Sequence, residues 1–248
     1  MKFLSIIFSL FLTFAHLQTP SIPGPGISHA SAGSSIVATG KTCYATSGAS
    51  SVLTEPCTWS GGSPAVGEFV TCLVTAGVGA VTTPSVTDNG SGGANTYAAD
   101  TLGSVSWLGG GAVNEVFTTT IVHVPTTTTY SNVSPSSTFM GIYCSTWTGV
   151  ATSTPRDGGS VVSATSGTTP FPCNGTAFST SANGDLIFVG GGTNNGTGSA
   201  HAGFTTLGGS DPYASYQIQT TAGSITPIFN DSQGSDACQV YAVAYKHQ

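Results

Sequence analysis

The side chains that are able to do chemistry in this sequence are few and widely spaced. Glu68 and Glu115 both fall on segments that the residue pattern predicts as strands. Two carboxyl groups that converge to about 5–9 Å are able to hydrolyse a glycosidic bond as acid and base or nucleophile. The competing interpretation is that both glutamates point to solvent from the faces of a sheet. A paired-carboxylate hydrolase is therefore one hypothesis for this chain.

Nucleophilic catalysis has one candidate set, His201 with Asp211 and one of the many serines. This set has no distinctive spacing, and a solvated loop histidine is the alternative. The sequence contains no G-x-S-x-G elbow, no H-E-x-x-H helix and no phosphate-binding loop. These absences favour a protein that is not an enzyme and that carries no cofactor.

Two glycine-containing loops place oxygen ligands close together, as a calcium site needs. The first begins at Asp88, and the second runs from Asp231 to Asp236. Neither has the EF-hand spacing, and in turns Asp and Asn commonly bond their own backbone. Zinc is disfavoured because the sequence has no C-x-x-C pair and no His at ligand spacing from a Cys. The sequence thus predicts turn formation and no metal site, with calcium at Asp88, Asp231 and Asp236 as the alternative.

Carbohydrates enter the analysis in two ways, as a ligand and as a modification. Aromatic side chains could stack on sugars, although aromatics on strands more often belong to the core; they are Trp59, Trp107, Trp147, Tyr97, Tyr130, Tyr213 and Tyr216. Asparagines in N-x-S/T sequons and a threonine run are candidate glycosylation sites, with a plain polar loop as the alternative for the run; they are Asn89, Asn132, Asn174, Asn195, Asn230, Thr126, Thr127, Thr128 and Thr129. A sugar coat would help a surface with few charges to remain soluble.

Charge is scarce throughout the chain. Asp, Glu, Lys and Arg make up 6% of the residues, against roughly 25% in an ordinary globular domain. There are 4 basic and 10 acidic side chains, and the net charge is −6. A chain without a basic patch is not expected to bind nucleic acid. The composition favours a protein that works as a surface or a building block.

The N-terminus has the features of a secretory signal. Lys2 precedes the apolar stretch from Phe3 to Ala15, which is too short to span a bilayer. Cleavage is expected after Ala15, or as late as Ala32. Residues 16–35 are rich in Pro, Gly and Ser and predict an extended arm. We expect a secreted protein, extracellular or at the cell surface, with no membrane span.

Six cysteines in an exported chain predict disulfides. Six cysteines allow 15 pairings, and the sequence does not choose among them. The hypothesis retained is a local bridge, Cys43–Cys57, with Cys72–Cys144 and Cys173–Cys238.

Short stretches rich in Thr, Val and Tyr alternate with glycine-rich turns, and no 3.6-residue period follows the signal. This pattern predicts an all-β domain. The strongest predicted strands are Glu68–Ala76, Val113–Val124, Thr138–Trp147, Asp185–Gly190 and Gln239–Tyr245. We predict a single antiparallel β-sandwich, of the jelly-roll or immunoglobulin-like type, over residues 36–248.

Several short motifs carry a resemblance. Val86-Thr87-Asp88 followed by Asn95-Thr96-Tyr97, Gly141-Ile142-Tyr143-Cys144, Gly184-Asp185-Leu186-Ile187 and the final Ala242-Val243-Ala244-Tyr245-Lys246 stand in this order. Over roughly residues 60–248 the chain resembles a group of uncharacterised secreted bacterial β-sandwich proteins. The resemblance implies a fold and an export route, and no activity.

An arm followed by one β-domain is similar to the layout of pilus and fibril subunits that assemble by strand donation. The leading hypothesis is therefore a secreted structural or adhesive protein, the repeating subunit of a glycosylated fibre, that self-associates. The donor strand would lie within residues 27–39 and include Ile27, Ile36, Val37 and Ala38. The alternatives are a carbohydrate-binding module using the loop at residues 191–203, and a hydrolase built on Glu68, Glu115 or His201.

Overall fold

The described part of the chain consists of strands and turns. The computed structural model describes residues 35–47, 53–77, 84–103, 105–106, 113–132, 139–168 and 171–248. Over these residues the all-β prediction is confirmed, because every regular element is a strand. Within the same residues there is no helix of the length and hydropathy that a membrane crossing requires.

The first half of the domain contains nine strands. They are β1 (Val37–Ser47), β2 (Thr54–Ser60), β3 (Phe69–Ala76), β4 (Ser85–Asp88), β5 (Ala98–Ala99), β6 (Val105–Ser106), β7 (Val113–Thr120), β8 (Thr127–Ser131) and β9 (Met140–Thr148). All nine belong to one antiparallel sheet, with the order β4-β8-β2-β1-β9-β3-β7-β5 and with β6 also paired to β7. The first half of the chain thus builds one large sheet.

The second half contains ten strands. They are β10 (Arg156–Thr165), β11 (Pro172–Asn174), β12 (Phe178–Ser179), β13 (Asp185–Thr193), β14 (Gly198–Ala200), β15 (Thr205–Gly208), β16 (Tyr213–Gln219), β17 (Ser224–Ile225), β18 (Ile228–Asp231) and β19 (Ala237–Tyr245). Five of them form the antiparallel sheet β10-β19-β13-β16-β15, and the others form sheets of three (β11-β18-β14) and two strands (β12-β17). The strands with the longest apolar runs, β13 and β19, are neighbours at the centre of the five-stranded sheet.

The main core joins the nine-stranded sheet to the five-stranded sheet. Leu73 and Trp147 of the large sheet belong to one buried cluster with Phe188, Tyr241 and Tyr245 of the other. The Trp147 side chain is completely buried, and its indole N–H donates to the hydroxyl of Thr71 at 3.0 Å. Burial of each large side chain contributes about 1.5–3 kcal/mol, so this cluster supplies a major part of the stability.

A second core lies on the other face of the large sheet, which curls until it is nearly closed. Its buried residues come from seven strands and a turn, and include Trp59, Val74, Val86 and Phe117. The edges of the curled sheet meet where the Tyr97 hydroxyl, just before β5, donates to the Asp88 carboxylate at the end of β4, at 3.1 Å. This closure gives a structural role to the V-T-D and N-T-Y segments.

Three disulfides join pairs of strands, one pair consecutive in the chain and two pairs distant in sequence. They are Cys43–Cys57, Cys72–Cys144 and Cys173–Cys238, with Cα–Cα distances of 5.4, 4.0 and 6.3 Å. This is the pairing that was retained as a hypothesis among the 15 possible ones. Each bridge contributes about 2–4 kcal/mol, on the loop-closure account.

The start of β1 corrects the prediction for the assembly arm. Ile36 is 4% exposed in the main core, Val37 pairs with Thr148, and Ala38 pairs with Trp147. Ile36, Val37 and Ala38 therefore belong to the domain's own sheet and are not available for donation to a neighbour. Ile27 and the rest of the arm up to residue 34 lie outside the described residues.

Candidate functional site

Glu68 and Glu115 do not converge. Glu68 comes immediately before β3, whereas Glu115 pairs across the sheet with Val74. The six residue steps from Glu68 to Val74 span about 20 Å of strand, far beyond the separation that glycoside hydrolysis needs. Both side chains are buried, at 7% and 8% exposure, so the expectation that they point to solvent is wrong as well.

Each glutamate has a local environment of its own. The Glu68 carboxylate accepts from the Lys41 ammonium at 2.7 Å and from the Ala65 N–H at 2.8 Å, which fixes the entry to β3. Burial, and then the negative charge of Asp100, raise the pKa of Glu115 to about 7. Glu68 thus serves as an ion-pair anchor, and Glu115 is a carboxyl group that holds its proton up to neutral pH.

His201 and Asp211 do not form a relay. The His201 Nδ1 lies 2.9 Å from the Asn230 side-chain oxygen, and the Asn230 amide donates to the Ala200 carbonyl at 3.2 Å. Burial, and then the charge of Asp231, raise the pKa of Asp211 to about 7. An amide holds the histidine, so the orienting carboxylate that a catalytic triad needs is missing from this contact.

In the first calcium candidate, the Asp88 carboxylate is fully engaged by hydrogen bonds from residues 90–97. Asp88 accepts four hydrogen bonds, from the N–H groups of Gly90 and Asn95 at 3.1 and 3.0 Å, the Asn95 amide at 2.7 Å and the Tyr97 hydroxyl at 3.1 Å. A carboxylate offers about four lone-pair sites. The hydrogen bonds occupy this capacity, which favours turn formation over calcium at Asp88.

The second calcium candidate behaves in a similar way. Asp236 accepts from the N–H and the side-chain amide of Asn195, at 2.7 and 3.0 Å, and from the Ala237 N–H at 3.0 Å. One oxygen of Asp231 accepts from the Gln233 N–H at 3.1 Å. Across the described ranges no three His, Cys, Asp or Glu side chains come together in a way that could hold a metal ion. Both loops thus use their carboxylates as turn acceptors.

Most of the candidate aromatic platform is core. Trp59, Trp147, Tyr130 and Tyr213 are buried, so the prediction of an exposed sugar platform is wrong for these four. Tyr97 and Tyr216 are half-buried, and Trp107 lies outside the described residues.

The candidate N-glycosylation sites differ in exposure. Asn132 is 3% exposed, so a glycan could be attached there only before the domain folds. Asn89, Asn174 and Asn195 are exposed, and Asn230 is half-buried. Their modification stays a prediction.

The threonine run is a strand with two different sides. Thr126 precedes β8, and Thr127, Thr128 and Thr129 lie within it. Thr128 is buried and accepts from the Trp59 indole N–H at 2.9 Å, whereas Thr127 and Thr129 alternate with it on the outer side. The loop interpretation of this run is wrong, and Thr128 has a structural role.

The outer side of β8 continues onto both of its neighbours. In register, Thr54, Ser131 and Ser85 form one row, and Pro56, Thr129 and Thr87 form the next. Thr58 and Thr127 begin a third row. We call this surface the hydroxyl face, and it consists of Thr54, Pro56, Thr58, Ser85, Thr87, Thr127, Thr129 and Ser131.

The geometry of the hydroxyl face follows from strand structure. Neighbouring positions lie about 4.8 Å apart across strands and about 6.8 Å apart along them. Because side chains alternate along a strand, Glu55 and Asp88 point to the opposite side, in the rows that contain Tyr130 and Thr128. The eight positions of the hydroxyl face therefore include no charged group.

One side chain secures the end of this face. The Asn89 side-chain oxygen accepts from the N–H groups of Thr126 and Thr127 at 2.9 and 2.8 Å, and its amide donates to the Thr126 hydroxyl at 2.9 Å. The sequence signal for the face is the alternation of exposed Thr, Pro and Ser with less exposed residues in T-E-P-C-T-W and S-V-T-D. The run of four threonines conceals the same alternation in β8.

Comparison with known proteins identifies no relative. No family model, no curated protein and no solved structure matches the chain. The resemblance to secreted bacterial β-sandwich proteins therefore stays a prediction, and the function has to be argued from the geometry of the domain itself.

Proposed function

We propose that this chain is a secreted structural or adhesive domain, and that its hydroxyl face is the surface of contact. The observation that carries the proposal is the charge-free array of hydroxyls on β2, β8 and β4. Such a face complements a neutral partner that is itself covered with hydroxyls, for example an insoluble polysaccharide. A single hydrogen bond contributes only about 0.5–1.5 kcal/mol, so a regular array is needed for firm contact.

The ionisable side chains support a role without catalysis. Glu68, Asp88 and Asp236 are each engaged by hydrogen bonds or ion pairs within the domain. Glu68 and Glu115 lie too far apart to act together, and the contact of His201 is with the Asn230 side chain and not with a carboxylate. What the hydroxyl face offers to a partner is neutral surface.

Secretion is part of the proposal, and the three disulfides support it because such bonds persist mainly in oxidising compartments. We include the β-sandwich arrangement for the two large sheets, since one buried cluster unites them. For assembly into a fibre, residues 16–34, with Ile27, are the remaining donor segment. Val37 and Ala38 are excluded because they pair with β9, and Ile36 because it is buried in the main core.

The adhesive part is tested by adsorption to cellulose and chitin particles, with carboxylated beads as the charged comparison. Thr87→Glu and Thr129→Glu place a carboxylate in the array, where binding would strip it of water without a partner. We expect each to lower adsorption about tenfold, which corresponds to about 1.4 kcal/mol. The matched control is Thr220→Glu, which changes an exposed threonine outside the face.

Two results decide against the adhesive proposal. Equal adsorption by the face variants and the control would show that the array is not used. Loss of adsorption at high salt would point to ionic contacts, because a neutral face is not screened.

The fibre part is tested by electron microscopy of the natively secreted protein, alongside a variant lacking residues 16–34. Regular fibres from the full chain and dispersed particles from the variant are expected. Dispersed particles from both, or fibres from both, would reject the arm as the link.

A further inference from the structure

A groove separates the open edge of β15 from strand β1. It has a volume of about 320 Å³, and its walls come from β1, β9, β15 and β16. Ligand pockets for small molecules commonly occupy about 300–1,000 Å³. The groove lies between two sheets and does not include any residue of the hydroxyl face.

Both walls of the groove are shaped by irregular strands. The register of β1 against β9 shifts between Ala38 and Thr42, where Gly40 has a φ of +78°. The register of β15 against β16 shifts between Thr206 and Gly208. Bulges of this kind re-aim side chains and occur frequently beside binding and active sites. Two irregularities from different sheets thus meet at one opening.

One wall of the groove is aromatic and held in place. The ring of Tyr216 lies edge-on to Trp147, with centroids 5.1 Å apart and an interplanar angle of 70°. Trp147 is itself completely buried. A fixed, half-buried tyrosine offers apolar ring surface for the C–H groups of a sugar, and a hydroxyl at its rim.

The polar groups of the groove are mostly hydroxyls. Thr205 is exposed on β15 and lies opposite Tyr216 on the same face of the sheet, whereas Thr206 points to the other face, towards Tyr213. Within the described part of the chain no hydrogen bond to the side chains of Thr205 or Tyr216 is formed. Lys41 contributes an ammonium group that gives one bond to Glu68, at 2.7 Å, and has two further N–H donors. Because Glu68 balances the charge of Lys41, the groove favours a neutral ligand.

We propose that this groove binds one ring of a neutral saccharide, with the ring against Tyr216 and its hydroxyls bonded by Thr205 and Lys41. This goes beyond the proposed adhesive function, because it assigns a second site to a soluble sugar unit instead of an extended surface.

The test is titration calorimetry and saturation-transfer NMR on the full mature chain. The probes are the mono- and disaccharides of glucose, galactose and N-acetylglucosamine. The variants are Tyr216→Ala, which removes the stacking surface, and Thr205→Val, which removes a hydroxyl while preserving volume. We expect each to raise the Kd at least tenfold for the probe that binds.

The matched control is Thr220→Val, at an exposed threonine outside both the groove and the hydroxyl face, which should leave the Kd unchanged. If Tyr216→Ala fails to fold, Thr205→Val decides. The proposal is overturned if no probe binds, or if the folded groove variants bind as the unmodified protein does. Particle adsorption of the groove variants is measured in parallel, so that this proposal and the adhesive one can fail separately.

Discussion

Asp185→Asn should stabilise the domain at neutral pH. Asp185 is completely buried in β13, and its carboxyl oxygen lies 3.8 Å from the His247 Nδ1. Burial, followed by the hydrogen bond and the negative charge of Asp157, raise the pKa of Asp185 from 3.8 to about 6. Above that pH the folded protein holds two neighbouring carboxylates, on Asp185 and Asp157. In the variant, an uncharged amide replaces the carboxylate of Asp185.

The magnitude follows from this pKa. A rise from 3.8 to about 6 corresponds to about 3 kcal/mol, at 1.36 kcal/mol for each pKa unit. The side chain of His247 is 32% exposed, so solvent screens part of the interaction. We therefore expect about 1–2 kcal/mol.

The sign follows from the proton balance between the two states. Between pH 3.8 and about 6 the folded state keeps a proton on Asp185 that the unfolded state has released. The bound proton contributes its full stabilisation of the folded state below pH 3.8, and this contribution is lost as the pH rises through about 6. Asparagine needs no proton to remain neutral. The gain from the variant should therefore be largest at pH 8 and small at pH 4.

The assay is urea denaturation followed by circular dichroism at pH 4, 6 and 8, with the disulfides intact. In thermal unfolding of a domain of this size, a gain of about 1–2 kcal/mol corresponds to a rise of about 2–8 °C in Tm. Asp157→Asn is the matched control. Burial would raise the pKa of Asp157, but hydrogen bonds from the Ser181 hydroxyl and N–H, with the charge of Lys246, lower it.

The control variant should therefore destabilise the domain at pH 8, because the ionised Asp157 is the favoured form. The reasoning is refuted if Asp185→Asn destabilises the domain at pH 8, or if it stabilises the domain equally at pH 4 and pH 8.

Three further predictions concern the closure of the large sheet, its first strand and its buried glutamate. Asn95→Ala should lower the free energy of unfolding, measured by urea denaturation, by about 2–4 kcal/mol. The reason is that the Asn95 side chain donates or accepts four hydrogen bonds, one of them to Asp88; a loss under 1 kcal/mol would contradict this. Deletion of residues 16–34 should leave the Tm unchanged. Deletion of residues 16–39 should lower the free energy of unfolding by about 3 kcal/mol or more, and with it the Tm, since Ile36 is core; equal Tm values for the two deletions would argue against this role. Glu115→Gln should raise the Tm above pH 7 and change little at pH 5, because the folded state keeps this proton up to about pH 7; a gain at pH 5 alone would be inconsistent.

Much of the central sheet structure was predictable from the sequence. Predicted strands around Cys72, Cys144 and Tyr241 became β3, β9 and β19, because their apolar runs have no stable place except inside a sheet. The disulfide pairs that the structure forms had been kept only as a hypothesis, because the sequence does not choose among the 15 pairings. Local composition was sufficient at these positions because burial alone determines the outcome.

Two strands of the hydroxyl face escaped prediction. β2 contains Glu55 and Pro56, which lower strand propensity, and β8 shows four hydroxyl residues in succession. Each becomes a strand because pairing with its neighbours and packing of Trp59 and Tyr130 into the second core override local preference. The face exists only once three segments align in register.

By itself, the sequence predicted an all-β protein with few charged side chains, and it placed Cys72 and Cys144 in strands. Only the tertiary structure decided which charged side chains are engaged in contacts within the domain. It separated Glu68 from Glu115, bound Asp88 to Asn95 and Tyr97, and placed Ile36 inside the domain. The physical reason is that strand composition reports burial, whereas side-chain convergence depends on register and on pairings between distant segments, which local sequence does not encode.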